Sequence, residues 1–310
     1  MPRDRDGDFS TELFDRFQRS EKALTLSLVE MYLQGVSTRK VGNIVEELCG
    51  HKVSKSQVSE LTKKLDSDLE AWRRRPLTKS YAYIIVDALY EKVRQGGRVV
   101  SRANLVAMGV AKDGYREIIG CRTANTENGP EWKEFLRSLI DRGLNSPSLV
   151  VSDDHAGLTE AIDSLFTGSC WQRCQVHYMR NYIGKLKMSE KGELVPMLKR
   201  VFESSDKEEA LEKVKELTSK LYEKERDEVA EWLESNIEDT LNVFSIPEKH
   251  RKKLRSSNVL ERFNRELRRR TRIIGIFPNA KSCERLLTAL CQESSEQWEQ
   301  KMYLRFEVQD

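Results

Sequence analysis

Two aspartates follow stretches of strong β-strand character, and their positions make them candidates for metal chemistry. Asp87 lies where the apolar run Tyr81–Val86 ends, and Asp153 directly follows Leu149–Ser152. A single aspartate after a strand is most often a turn residue. If the two strands are parallel neighbours, however, both carboxylates project from one edge of a sheet and repel each other. A bound divalent cation is the usual remedy for such repulsion.

A third acid, Glu261, is predicted on a helix that packs against the sheet. The segment SSNVLERFNRELRRRTR, residues 256–272, has one apolar face at helical spacing. That face comprises Val259, Leu260, Phe263 and Leu267. The opposite face, at about 100° per residue, is charged. It carries Glu261, Arg265, Arg268 and Arg272. A Glu–Arg pair at i, i+4 explains only the first two of these residues, whereas a catalytic glutamate among phosphate-binding arginines explains all four.

Such an acid triad suits the cleavage and transfer of phosphodiester bonds. Two metal ions about 3.5–4 Å apart activate the attacking oxygen and neutralise the leaving one. Carboxylate ligands favour Mg²⁺ or Mn²⁺, with waters and substrate phosphates completing each coordination shell. We expect Asp87 to bridge both ions, while Asp153 and Glu261 each support one. The same three residues are therefore the predicted catalytic residues and the predicted metal ligands.

The order of elements around the aspartates predicts an α/β domain of the ribonuclease-H-like fold. Gly96–Gly97 and Asp113–Gly114 mark hairpin turns, so the first three strands form an antiparallel meander. An amphipathic helix follows Pro130, and a fourth strand and another helix come next. A right-handed crossover lays the fourth strand parallel to the first in the same sheet. We assign residues 80–168 to the first part of this catalytic domain.

The rest of the chain after residue 168 is predicted to be helical. Residues 169–250 show helical spacing throughout and no strand pattern, which predicts an all-α insertion into the catalytic domain. Residues 251–310 then complete the catalytic domain with the Glu261 helix and a C-terminal helix.

Short helices separated by glycine-bearing turns precede the sheet. Residues 1–76 are interpreted as an N-terminal helical DNA-binding region, with a helix-turn-helix at about 37–70. Lys55, Ser56 and Gln57 begin its second helix and are candidate DNA contacts. A plain three-helix packing unit would have a similar sequence pattern, so that alternative stays open.

Charge is unevenly distributed along the 310 residues. The formal net charge is +3, yet the segment from Arg251 to Arg272 holds ten Lys and Arg against Glu261 and Glu266. Such a basic stripe suits contact with a phosphate backbone on one face. No apolar run is long enough for a membrane span, no secretion signal is present, and the six cysteines are scattered. We therefore expect a cytoplasmic, nucleoid-associated protein.

Several sequence blocks resemble the mutator-type insertion-sequence transposases, over nearly the whole chain. The blocks are GVSTRKV (35–41), VDALYEKVR (86–94), GYREIIG (114–120), VVSDDHAGL (150–158), QRCQVHYMRN (172–181) and SNVLERFNRELRRRTRIIGIFPN (257–279). The resemblance implies a DDE transposase in which Asp87, Asp153 and Glu261 are the acidic triad with two metal ions. It also implies binding to terminal inverted repeats and target DNA, and a homodimer that brings two element ends together.

The resemblance further implies a Cys-x-x-His motif, matched here by Cys174 and His177. Together with Cys170 these residues could suggest zinc. A structural zinc site needs four ligands, and no second pair follows, so a packing and hydrogen-bonding role is favoured. His177 and Arg180 are expected to touch DNA. The other basic residues expected to do so are Arg265, Arg268, Arg269 and Arg272.

Two departures from the family pattern leave alternatives open. Asp154 and His155 follow Asp153 where the family usually has a small residue, so Asp154 competes as a ligand, although the motif favours Asp153. Family members usually carry a further helical region before the segment resembling PRDRDGDF. The chain is thus interpreted as an active transposase or as a truncated, inactive copy that regulates by binding element ends. A ribonuclease-H-type nuclease is a third hypothesis, disfavoured by the helix-turn-helix and the insertion.

Overall fold

The structure is a computed structural model that describes residues 66–307 together with Met31, Val36, Lys40, Asn43 and Ile44. Most of the predicted helix-turn-helix, with the candidate DNA contacts Lys55, Ser56 and Gln57, lies outside the described residues. Its contact with DNA stays a prediction. The chain divides into two compact units, one comprising Trp72–Glu266 and Ile276–Asp310 and the other Met1–Ala71 and Leu267–Gly275.

A mixed five-stranded sheet forms the centre of the larger unit. Its strands are β1 (Tyr81–Gln95), β2 (Arg98–Ala111), β3 (Arg116–Ala124), β4 (Leu149–Ser152) and β5 (Cys170–Arg173). The spatial order is β3-β2-β1-β4-β5. β1 pairs antiparallel with β2, and β2 with β3, while β4 lies parallel to both β1 and β5. The predicted meander and parallel fourth strand are confirmed, and the arrangement is compatible with the ribonuclease-H-like fold.

Helices surround the sheet and continue after β5. The α-helices of the described residues are α1 (Asp66–Arg74), α2 (Gly129–Asp141), α3 (Ala156–Leu165), α4 (Gln175–Lys185), α5 (Met188–Phe202), α6 (Lys207–Glu223), α7 (Asp227–Asn236), α8 (Glu248–Leu254), α9 (Asn258–Thr271) and α10 (Ala280–Glu299). Two short 3-10 helices, Glu238–Thr240 and Asn242–Ser245, lie between α7 and α8. No helix in the described part of the chain is long and apolar enough to cross a membrane.

The core of the sheet follows from its apolar sequence. All residues from Tyr81 to Val86 in β1 are buried, as expected for a central strand covered on both faces. One face packs against α2 and α3, whose buried residues include Trp132 and Ile162. On β3, the backbone amide of Ile118 donates to the Ser295 hydroxyl of α10 at 2.8 Å.

Local signals also position the loop after β4. The Asn128 side chain accepts a hydrogen bond from the Glu131 amide and so begins α2. A Cβ atom on Gly157 would lie 2.4 Å from the Gly129 backbone nitrogen. Only glycine therefore allows the first turns of α2 and α3 to approach this closely, which constrains the path of the chain from Asp153 into α3.

β5 corrects the prediction that residues 169–250 are helical throughout. Four residues are too few to show an alternating pattern, and two of them, Gln172 and Arg173, are polar but buried. Both have tertiary partners, because the Gln172 amide donates to the Thr240 carbonyl at 2.8 Å and the Arg173 guanidinium donates to Oδ1 of Asn236 at 3.0 Å. A strand whose buried residues are polar cannot be recognised in the sequence by a run of apolar residues.

The helices after β5 have a hydrophobic core of their own. It is built from residues between Tyr178 and Leu241, and includes Leu198, Leu217 and Leu233. A separate core is consistent with the predicted all-α insertion at 169–250. The domain boundaries themselves remain predictions.

Candidate active site

Asp87 and Asp153 occupy equivalent positions on neighbouring strands. Ile84 pairs with Val150, and Ile85 with Val151, so Asp87 and Asp153 each lie two residues beyond the last pair. Asp87 is mostly buried in the sheet. The two side chains therefore lie just beyond the paired part of β1 and β4. The prediction that the first strand ends at Asp87 is wrong, because β1 continues to Gln95 through its pairing with β2.

The environment of Asp87 opposes its ionisation. Burial, followed by the charge of Asp153, raises the pKa of Asp87 to about 7. Glu261 is also among the charges that raise this pKa. One oxygen of Asp87, Oδ1, accepts from the Ala88 amide at 2.9 Å, and Oδ2 accepts from the Asn264 side-chain amide at 2.8 Å. The three predicted acids thus converge closely enough to influence one another.

The Asp153 carboxyl is similarly perturbed, and the neighbouring Asp154 has a different set of contacts. Burial raises the pKa of Asp153, with a further contribution from the charge of Glu127. Asp154 is more exposed and forms an ion pair of 2.8 Å with the buried guanidinium of Arg173. Asp154, the alternative metal ligand, is therefore already paired with the guanidinium of Arg173.

Glu261, near the start of α9, faces two basic side chains of α4. Its Oε1 lies 3.1 Å from Nε2 of His177 and 3.8 Å from a guanidinium nitrogen of Arg180. Interaction with the Cys174 side chain, reinforced by the charges of Asp153 and Glu261, outweighs burial and raises the pKa of His177 to about 8. At neutral pH His177 is thus mostly a cation paired with Glu261.

The Cys-x-x-His motif joins the beginnings of two helices. Cys174 is completely buried, and its sulfur accepts from both the backbone amide and the hydroxyl of Ser257 at 3.3 Å. Although burial opposes it, the interactions with His177 and Ser257 lower the pKa of this thiol. The sulfur therefore fastens the start of α4 to the turn before α9, and this contact sets His177 opposite Glu261.

Cys170, the third residue in the zinc hypothesis, is exposed on β5. Among residues 66–307 and the five isolated positions, no group of three or more His, Cys, Asp or Glu side chains stands close enough to hold a metal ion. In the present arrangement the Glu261 oxygen contacts His177 instead.

Asn264 is the site residue that sequence reasoning missed. It is buried on α9, three positions after Glu261. Its side-chain amide donates a hydrogen bond to Asp87 of β1. The signal in the sequence was a polar residue that follows the buried Phe263 and precedes the charged Arg265. The apolar face of α9 does not account for a polar residue at this position.

The predicted DNA-contacting arginines are exposed. Arg180 and Arg265 are exposed on α4 and α9 within the larger unit. Arg268, Arg269 and Arg272 are also exposed, and they belong to the other unit. Contact of these side chains with DNA remains a prediction.

Comparison with a family model and with individual relatives indicates the same protein family. The model of "Transposase, Mutator family" matches residues 1–301. The transposase for insertion sequence element ISRM5 of Rhizobium meliloti is 46% identical over 96% of this chain and 75% of the relative. The transposase for IS256 in transposon Tn4001 of Staphylococcus aureus is 40% identical over 99% of this chain and 80% of the relative. The chain belongs to the Mutator family of transposases.

Proposed function

We propose that this chain is a DDE-type DNA transposase that cleaves and transfers DNA strands with two divalent metal ions. The observation that carries the proposal is that Asp87 and Asp153 occupy equivalent positions beyond the paired part of β1 and β4, and that the charges of Asp153 and Glu261 both act on Asp87. Burial and the second carboxylate raise the pKa of Asp87 to about 7, so the site concentrates negative charge that a cation would neutralise.

The residues present fit Mg²⁺ or Mn²⁺. Three carboxylates from β1, the end of β4 and α9 offer hard oxygen ligands, and the proton that Asp87 retains near neutral pH would leave when a cation binds. Asp87 would contact both ions, with Asp153 supporting one and Glu261 the other. When bound, such ions activate the attacking oxygen and neutralise the leaving oxygen of the phosphodiester.

The basic residues of α4 position Glu261 and contact DNA. The cationic His177 lies 3.1 Å from Oε1 of Glu261 and holds this side chain in the acid cluster that it forms with Asp87 and Asp153. Arg180 is close to the same carboxylate yet exposed, and so can contact a DNA phosphate next to the cleavage point. We assign the same kind of contact to four further residues of α9 and its end, namely Arg265, Arg268, Arg269 and Arg272.

The DNA partners follow from the proposed reaction. The chain would bind the terminal inverted repeats of its element and join the liberated 3′-hydroxyl to a target phosphate. Two ends must be held together for this, so we propose a homodimer acting on nucleoid DNA. Lys55, Ser56 and Gln57 would read part of the repeat. The relatives described above are transposases for insertion sequence elements, which supports this assignment.

Cleavage and strand transfer on DNA carrying the element's own ends test the proposal. The assay contains Mg²⁺ or Mn²⁺ and compares wild type with Glu261→Gln, which removes one charge with little change in shape. Glu212→Gln on α6 is the matched control, because Glu212 is exposed and distant in sequence from every acid of the site. Products are expected from wild type and Glu212→Gln only.

Two other results would contradict the proposal. If the wild type binds the ends and never cuts them, the chain acts as an end-binding regulator. If it cleaves RNA–DNA hybrids and leaves end-containing duplexes intact, the nuclease hypothesis is correct.

A further inference from the structure

A cavity of about 960 Å³ lies on the other side of the helices that carry Glu261 and His177. On α9, Glu261 and Asn264 face the acid cluster, whereas Val259 and Arg262 line the cavity. Val259, predicted to be buried, is only partly so for this reason. All lining residues belong to the larger compact unit.

The side chains of α4 are likewise shared between the acid cluster and the cavity. His177 and Arg180 face Glu261, and Val176 and Met179 line the cavity. The acid cluster and the cavity are thus separated by one pair of helices, a thickness of about 10 Å. A DNA strand in the acid cluster would therefore have a second binding surface nearby.

The charge of the cavity is strongly positive. Six cationic side chains line it against the two carboxylates Glu203 and Glu266. The cations are Arg116, Lys199, Lys252, Lys253, Arg255 and Arg262. Four of them belong to the basic segment from Arg251 to Arg272, but none is among the residues individually predicted to contact DNA. A concave surface lined by one sign of charge attracts polyanions, and phosphates are the anions that such a mixture of Lys and Arg binds.

Arg116 is a cation held between two aromatic rings of the cavity lining. Its guanidinium lies between the rings of Trp298 and Tyr303, at 4.5 and 4.4 Å from their centres. Burial, and then the charge of Arg262, lowers the pKa of Arg116 against the raising effect of Tyr303. Among the described residues its buried Nε has no hydrogen-bond partner. Arg116 is partly buried, and a partly buried cation beside a second cation is stabilised by an anion that binds between them.

Aromatic side chains alternate with these cations. Phe202, Trp298 and Tyr303 line the cavity, and the buried Phe263 ring supports Trp298 edge to face, with 5.9 Å between the ring centres. Proteins bind single-stranded nucleic acid with this combination, in which cations hold the backbone and aromatic rings stack on unpaired bases. The cavity is also far larger than one phosphate ion needs.

We propose that this cavity binds an unpaired segment of the DNA substrate, with its phosphates on the six cations and its bases against the aromatic rings. The proposal rests on the proposed function, because it takes the substrate to be DNA. It adds a second DNA-binding site behind the catalytic helix, specific for strands that are not base-paired.

Binding of a short single-stranded oligonucleotide to the full chain tests the proposal. The variant is Lys199→Glu with Lys252→Glu, two exposed cations of the cavity. The matched control is Lys133→Glu with Arg137→Glu, which makes the same charge change on exposed positions of α2, outside the cavity. Fluorescence anisotropy at several salt concentrations gives the affinities, and a duplex of equal length is measured in parallel.

The cavity variant should bind the single strand about tenfold or more weakly than the control variant, and the slope of log affinity against log salt should fall by about 1.4, since each lost phosphate contact contributes about 0.7. Equal losses in both variants would show a general charge effect and overturn the proposal. A loss confined to the duplex would assign the cavity to paired DNA and also overturn it.

A second measurement needs no variant. Single strands carrying 5-iododeoxyuridine are photocrosslinked to wild type, and the adducts are mapped by mass spectrometry. Adducts on Trp298, Tyr303 or Phe202 are expected. If they are absent while inorganic phosphate protects wild type against thermal unfolding, the cavity is an anion site only and the proposal is wrong.

Both measurements are made without metal and do not depend on cleavage. A chain that cuts element ends but shows neither effect would retain its proposed function and lose the second site. A chain that shows both effects but never cuts DNA would retain the site and lose the proposed chemistry.

Discussion

The side-chain amide of Asn264 donates to Oδ2 of Asp87 at 2.8 Å, so the helix that carries Glu261 also holds the partly buried aspartate of β1. Its carbonyl oxygen is buried and has no partner among the described residues. An amide that donates to a carboxylate lowers the free energy of the ionised form. Asn264 therefore links two of the proposed metal ligands and favours the charge state that a cation requires.

Asn264→Ala is expected to reduce cleavage of element ends by about 10- to 100-fold, because a hydrogen bond to a charged group contributes about 1.5–3 kcal/mol. Cleavage is measured at saturating Mg²⁺. The pH at half-maximal rate should also move upward, since the pKa of Asp87 loses a stabilising donor. A variant with the wild-type rate and pH profile would limit Asn264 to a packing role, and circular dichroism checks that the fold is retained.

Metal binding should be pH-dependent because Asp87 retains a proton near pH 7. A cation must displace that proton, so thermal stabilisation by Mg²⁺ or Mn²⁺ should be larger at about pH 8 than at about pH 6. Differential scanning fluorimetry measures the shift in Tm. Asp87→Asn should abolish both the stabilisation and its pH dependence. Equal stabilisation at the two pH values would remove Asp87 from the metal site.

Without metal, the dependence of stability on pH has the opposite sign. The pKa of Asp87 is raised from 3.8 to about 7, so between about pH 4 and pH 7 the folded state binds a proton that the unfolded state has released. The free energy of unfolding should therefore fall across this window, by at most about 4 kcal/mol. His177, raised from 6.5 to about 8, extends the decline to about pH 8. Urea titrations in EDTA measure it, and Asp87→Asn should flatten the lower part of the window.

Asp153→Asn and Asp154→Asn should separate the two adjacent aspartates. The first should abolish cleavage with little loss of stability. The second should leave cleavage within a few-fold of wild type and lower the free energy of unfolding by about 1–2 kcal/mol, because Arg173 is buried and loses its ion pair. The opposite pattern in cleavage assays would make Asp154 the ligand.

Cys174→Ala should lower both stability and cleavage, because the Cys174 sulfur holds Ser257 and, through it, the beginning of α9. Cys170→Ala is the matched control, since Cys170 is exposed, and it should change neither. Zinc content, measured by elemental analysis of the purified chain, should be negligible in all three proteins. Stoichiometric zinc lost in both variants would restore the zinc-site hypothesis.

Much of the sheet was predictable from local sequence. The apolar run before Asp87, the glycines at the hairpin turns and the amphipathic α2 each carry their own signal, and strand direction follows from the length of the connection. β5 was missed because Gln172 and Arg173 are buried through partners on distant helices. Burial of a polar residue depends on what surrounds it, and the residue itself does not encode this.

The same distinction applies to the site. The sequence by itself determined that Asp87 and Asp153 lie on neighbouring parallel strands or directly after them, and that Glu261 lies on an amphipathic helix, because period and turn chemistry are local properties. Only the tertiary structure decided that Asn264 contacts Asp87, that His177 contacts Glu261 and that Arg116 lines a basic cavity with Trp298. These relations join residues far apart in the chain, and they depend on how the helices pack against the sheet, which no local spacing specifies.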